Sequence, residues 1–133
     1  MSTDNIALIT EGYANFAKAN MDAVLEVWDP AIEWHECKGM PIVTTAAKLV
    51  GHQAVLEGIM ARIPQQFDGF GIEIGEIFGS GDRVVMLGHY TGTFRATGKP
   101  FKAAVAHTWT FKNGLAVKMI QVADTAEIIN PKP

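Results

Sequence analysis

The sequence predicts an α+β fold, helices first and an antiparallel sheet after them, in one domain spanning 1–133. Three observations carry that expectation. Apolar residues recur at helical spacing in the N-terminal half, from Ile6 to Ile63. From Gly69 onward the chain alternates with period two between Gly-rich turns. One further alternating stretch, Ala31-Ile-Glu-Trp-His-Glu-Cys37, stands among the helices. Apolar residues make up 48% and charged residues 19%, which places the chain with globular rather than disordered sequences.

The first helix is expected over 4–18, with Ile6, Ile9, Tyr13, Phe16 and Ala17 as its stripe and Thr3 or Asp4 as its N-cap. A second runs from about Asp22, buries Val24, Leu25 and Trp28, and stops before Pro30, because the residue preceding a proline is pushed out of the helical region. The strand at 31–37 then places Ile32, Trp34 and Glu36 inward and Glu33, His35 and Cys37 outward. It is expected at an edge of the sheet. Residues 38–50 read as a loop with Gly39 and Pro41 as turn residues. Gly51-His52-Gln53 opens a third helix, carried by Val55, Ile59 and Ile63 and ended near Pro64.

Four strands follow at 70–79, 83–96, 100–112 and 115–123, separated by Gly79-Ser-Gly-Asp82, Thr97-Gly-Lys-Pro100 and Lys112-Asn-Gly114. The last turn sets which residues share a face. A two-residue Asn-Gly turn pairs Phe111 with Ala116; a three-residue turn with a bulge at Gly114 pairs Phe111 with Leu115. The second is the more amphipathic and is the one expected. It puts Val105, His107, Trp109 and Phe111 with Leu115, Val117, Met119, Gln121 and Ala123. The inner side of the preceding strand is then Met86, Gly88, Tyr90, Gly92 and Phe94. Thr93, Ala104, Ala106, Thr108, Thr110, Ile120 and Val122 make a smooth outer face, expected to serve as a homodimer interface.

The order of these features resembles the SnoaL-like branch of the nuclear transport factor two-like superfamily. The resemblance is carried by Glu33-Trp34-His35-Glu36, Gly51-x-x-Ala54-Val55, Gly81-Asp82-Arg83-Val84-Val85, Thr97-Gly98-Lys99, His107-x-Trp109-x-Phe111-x-x-Gly114 and Asp124-Thr125. It covers essentially the whole chain. That branch is similar to ketosteroid isomerases, polyketide cyclases and limonene epoxide hydrolases. The resemblance implies a cone-shaped, curved mixed or antiparallel sheet wrapped around three N-terminal helices, a deep apolar pocket and often a homodimer. The isomerases' base falls on Glu36, their second oxyanion donor on His107, and their helix-one tyrosine on Gly12, one residue from Tyr13. An acid of related enzymes falls on Gln121. The epoxide hydrolases' middle-strand Arg and Asp fall on Gly88 and Tyr90, so that constellation is absent.

Glu36 beside Trp34 in an apolar cone would be desolvated, which raises a carboxyl pKa toward neutrality and suits abstraction of a proton alpha to a carbonyl. The ketosteroid isomerase pairing of such a base with oxyanion donors is a standard example of this tuning. Glu36 and His107 are therefore the candidate catalytic pair. Tyr13, Trp34, Met86, Tyr90, Trp109, Met119 and Gln121 are the candidate substrate contacts, and Gly88 and Gly92 leave room for a ligand. Simpler roles compete with these: Glu36 solvated at the mouth or paired with Lys38, His107 a hydrogen-bonded core residue, Asp124 the N-cap of a short last helix.

Other chemistry has little support. A net charge of −3 without a Lys/Arg cluster gives no footprint for nucleic acid. No apolar run reaches the roughly 18 residues of a membrane span. The single cysteine and the lack of a signal-like start point to the cytoplasm. Glu33, His35 and Cys37 could hold a metal only if His89 lay on an adjacent strand, so neither metal nor cofactor is expected. Three functions fit: an isomerase-, cyclase- or hydratase-like acid–base catalyst on an apolar carbonyl compound, a non-catalytic binder of a hydrophobic small molecule, or a dimerising module whose cone is filled by its own side chains.

Overall fold

The structure, a computed structural model, describes residues 2–42 and 48–132, with side chains from Asn5 onward. Two helices, α1 (Ser2–Ala17) and α2 (Met21–Glu26), precede β1 (Trp28–His35) and the short β2 (Lys48–Val50). Then come α3 (His52–Gly58), a 3-10 turn (Met60–Arg62) and α4 (Ile63–Gln66). The long strands β3 (Phe67–Ser80), β4 (Arg83–Phe94), β5 (Lys99–Lys112) and β6 (Leu115–Ala123) follow, and α5 (Thr125–Ile129) closes the chain. The six strands form one curved, unclosed sheet in the order β2-β1-β6-β5-β4-β3. All neighbours are antiparallel except β1 and β6, which run parallel.

The helical segments depart from expectation at their ends. α1 begins at Ser2, so Thr3 and Asp4 lie inside it rather than capping it, and their side chains are outside the described residues. Trp28 does not extend the second helix. It heads β1, and Pro30 lies within that strand, in the stretch between Trp28 and Glu33 where the register with β6 shifts and no ladder bond is required of a proline. The third helix is broken in three, and Pro64 sits in the first turn of α4, where a missing N–H costs nothing. Part of the loop expected at 38–50 is β2, which makes β1 the second strand from the edge; residues 43–47 lie outside the described residues.

The sheet bends where β3 meets β4. Bulges in β3 fall between Asp68 and Gly71 and between Ile74 and Glu76, opposite Gly92 and next to Gly88. Gly88 and Gly92 therefore do not leave room for a ligand: a Cβ on Gly88 would lie 2.1 Å from the Glu73 carbonyl oxygen, and one on Gly92 3.2 Å from that of Asp68. Neighbouring backbone fills the space instead. The narrow end of the fold is packed by Phe67, Phe70, Phe94 and Phe101, with Phe67 ring centroids 5.3–5.8 Å from the other three.

The β5–β6 turn corrects the expected register. It is the tight Asn113-Gly114 turn, with φ of 53° and 78°, and it pairs Lys112 with Leu115 and Phe111 with Ala116. A bulge one residue later, at Val117, shifts the ladder so that Trp109 faces Met119, His107 faces Gln121 and Val105 faces Ala123. The amphipathic division expected beyond the turn is thus reached by another route. Ala116, rather than Leu115 or Val117, fills the inner position beside Phe111. Asp124 caps α5 as expected, accepting from the Glu127 N–H at 3.3 Å.

Candidate functional site

Between the helices and the concave face of the sheet lies a cavity of about 60 Å³. That is room for several waters or one small ligand group at the present side-chain positions. Its walls are mostly apolar, with Leu8, Ile9 and Phe16 from α1, Ile59, Met60 and Ile63 from the broken helix, and Phe70 and Ile72 from β3. Five polar side chains reach it from five elements: Tyr13 on α1, Glu36 just after β1, Tyr90 on β4, His107 on β5 and Gln121 on β6.

These five make one hydrogen-bonded chain. Trp109 Nε1–H donates to the Tyr13 hydroxyl at 2.9 Å, and that hydroxyl lies 2.7 Å from His107 Nδ1. The Tyr90 hydroxyl hydrogen is spent on Gln121 Oε1, so neutral His107 carries its own hydrogen on Nε2, and its Nδ1 accepts from Tyr13. His107 Nε2 is 2.7 Å from the Tyr90 hydroxyl, which in turn donates to Gln121 Oε1. The Gln121 amide donates to Glu36 Oε2 and to Cys37 Sγ, the latter at 3.5 Å. Trp34 Nε1–H completes the set, donating to Glu36 Oε1 at 2.8 Å. Among the described residues no buried side-chain nitrogen or oxygen lacks a partner.

Burial sets the electrostatics. Glu36 is 4% exposed and its pKa is raised by desolvation, against the opposing hydrogen bonds from Trp34 and Gln121. His107 is pushed down to about 4 by burial, partly offset by its bond to Gln121, and is neutral at physiological pH. Desolvation also raises Tyr90, where the Glu36 charge adds to it, and Tyr13. Glu36 is the one acidic side chain lining the cavity among the described residues. No Lys or Arg lines it among the described residues.

Of the residues singled out in the sequence, Tyr13, Trp34, Glu36, Tyr90, His107, Trp109 and Gln121 meet at this cavity. Met86 and Met119 do not line it; they are fully buried within the sheet's own packing. Glu36 is neither at the mouth nor paired with Lys38, because its oxygens are taken by Trp34 and Gln121. Cys37 is not outward-facing. β1 ends at His35, so strict alternation lapses there, and the half-buried thiol turns toward Gln121, with its pKa raised by burial. Glu33 and His35 form a surface pair at 3.2 Å, and His89 is separated from them by β5 and β6. Sequence reasoning missed Trp28, whose ring packs on Trp34 and Trp109 with centroids 5.1 and 6.1 Å away, because it was assigned to a helix.

Comparison with known proteins agrees with this architecture. The model of the SnoaL-like domain family matches residues 9–119. A nuclear transport factor two-like protein from Burkholderia thailandensis is 29% identical over 96% of this chain and 97% of its own, with a TM-score of 0.87. A like protein of unknown function from Burkholderia pseudomallei is 29% identical over 97% and 96%, with a TM-score of 0.85. TerC, co-crystallised with polyporic acid, is 28% identical over 95% and 98%, with a TM-score of 0.83. No curated protein matches the sequence. The matched span runs from within α1 through the strands bearing Trp34 and His107 into β6, and so the chain belongs to the SnoaL-like domain family of the nuclear transport factor two-like superfamily.

Proposed function

We propose that this protein takes an apolar, carbonyl-bearing small molecule into its cone and that Glu36 moves a proton on it, in an isomerase- or cyclase-like reaction. One observation carries the reading: a single buried carboxylate on an otherwise apolar wall, held by two neutral donors rather than by a cation. A paired Lys or Arg would pull the carboxyl pKa down and spoil it as a base; burial without such a partner raises it. That no cation lines the cavity among the described residues also favours neutral ligands over anions, which would meet Glu36 in a low-dielectric space. Turnover of conjugated ketones by the wild type, reduced roughly 10²- to 10⁴-fold in Glu36→Gln, is the expected result. Equal rates in the two proteins would sink the role given to Glu36.

A second reading, a binder without catalysis, draws support from the hydrogen-bond chain. Along that chain each polar hydrogen is committed to a protein partner, so the chain in this direction offers none to an enolate oxygen. The cavity weighs against a third, a cone filled by its own side chains.

We propose also that a second copy covers the convex face. Leu87, Ile120 and Val122 are exposed there, Val122 by 64%, around the small residues Ala104 and Ala106. Sedimentation is expected to show a dimer that Val122→Asp converts to monomer. A wild-type monomer at tens of micromolar (on the order of the concentrations where weak homodimers persist) would refute it.

A further inference from the structure

Both ends of the polar chain are indoles, which donate hydrogen bonds and never accept them. Trp34 is fixed on Glu36 Oε1, and Trp109 on the Tyr13 hydroxyl. With Glu36 ionised, this fixes the direction of each bond between them: Tyr13 to His107, His107 to Tyr90, Tyr90 to Gln121, Gln121 to Glu36.

A proton on Glu36 leaves a different arrangement. Oε1 still faces the Trp34 donor, so the proton sits on Oε2, facing Gln121. With that proton directed at Gln121, the amide turns its oxygen to Glu36 and its NH₂ to Tyr90. Tyr90, now accepting, donates to His107 Nε2. His107 carries its hydrogen on Nδ1 and donates to Tyr13. With Trp109 and His107 both donating to it, the Tyr13 oxygen has its lone pairs taken, and its own hydrogen is left the cavity it lines.

We propose that Glu36 and Tyr13 are coupled through this chain, so that a proton arriving on Glu36 reverses each bond and turns the Tyr13 hydroxyl hydrogen into the cavity. The proposal rests on Glu36 being the proton acceptor and supplies a donor that the chain in its resting direction does not offer. The balance closes. A C–H bond alpha to the carbonyl breaks, its proton goes to Glu36 Oε2, its electron pair forms the C=C bond, and the carbonyl π pair moves onto the oxygen as an enolate. Tyr13 donates a hydrogen bond to that oxygen and keeps its proton. His107 stays neutral, exchanging a hydrogen on Nε2 for one on Nδ1. Return of the proton from Glu36 to carbon restores the first direction. His107, Tyr90 and Gln121 are positioning residues in this scheme. The remaining titratable group beside the chain is Cys37, whose thiol both donates and accepts and so serves either direction.

The test needs no ligand. In the full chain labelled with nitrogen-15 histidine, ring-nitrogen shifts distinguish the two tautomers, with His107 assigned by substituting the other three histidines singly. Above the pH at which Glu36 titrates, the wild type is expected to hold His107 mostly as Nε2–H. Glu36→Gln carries an amide in place of the protonated acid; its oxygen must take Trp34 and its NH₂ must face Gln121, so mostly Nδ1–H is expected. The same tautomer in both proteins overturns the coupling. Should the variant not fold, the wild type decides: the tautomer is to change with the same midpoint as the Glu36 carboxyl carbon, and a tautomer that ignores that titration also overturns it. Lost turnover in Glu36→Gln with an unchanged tautomer would defeat the coupling and leave the base standing; a changed tautomer with turnover retained does the reverse.

Discussion

Gly88→Ala is expected to cost the fold several kcal/mol and to leave little folded protein at physiological temperature. The added Cβ would meet the Glu73 carbonyl oxygen at 2.1 Å and the Met86 sulfur at 3.1 Å. The first of these is backbone in the partner strand, bonded into the β3–β4 ladder where Ile74 pairs with Gly88. It must retreat by about an ångström, and overpacking of a built interior costs typically 1–3 kcal/mol and more where backbone has to move. Against a total stability of roughly 5–15 kcal/mol, that is a large fraction. Gly12→Ala is the control. Gly12 lies within α1, and a Cβ there meets nothing within 4 Å, so a gain of about 0.5–1 kcal/mol is expected from helix propensity alone. Urea unfolding of the three proteins reads both effects. A Gly88→Ala midpoint within error of wild type would show that β3 and β4 are not in this close contact.

Acid is expected to destabilise the fold through His107. Its folded pKa is pushed down to about 4 by burial, whereas an unfolded histidine titrates at about 6.5. The folded state therefore holds His107 neutral while the unfolded chain takes up the proton. The stability from keeping it neutral is fully present above pH 6.5 and is lost as pH falls through 4, by about 3 kcal/mol in all. Glu36 acts with the opposite sign. Its raised pKa means that stability is regained as pH falls through its folded value, so the two buried groups partly offset each other on the acid side. Urea midpoints measured from neutral pH down to about pH 4.5 should fall in the wild type and fall less steeply in His107→Gln. Parallel curves would mean that His107 is not the group responsible.

The same histidine gives the cavity its polarity. A charged imidazolium in that place would require a counter-ion, and Tyr13 and Tyr90, both pushed away from ionising by burial, cannot supply one. The chain of neutral donors leading to Glu36 bonds the carboxylate without placing a cation on it, the condition that the proposed role as a base requires.

Local pattern determined much of this protein. Period-two alternation put Ile32, Trp34 and Glu36 on one face and Val105, His107 and Trp109 on another, because successive side chains of a strand point to opposite sides wherever the strand lies. The helical stripe carrying Ile9 and Tyr13 and the cap at Asp124 are likewise short-range chemistry. What the tertiary structure decided are contacts between residues far apart in the chain. The parallel pairing of β1 with β6 carried Trp28 and Pro30 into a strand that local signals assign to a helix end. The bulge at Val117 reconciled a tight turn with an amphipathic face, a compromise visible only once both strands are paired. The Glu73 backbone, not a ligand, occupies the space beside Gly88, and Cys37 left the outer face because its strand ended two residues earlier. The direction of the hydrogen bonds from Trp109 to Glu36 depends on five elements meeting at one buried cavity, and no segment of sequence contains that information by itself.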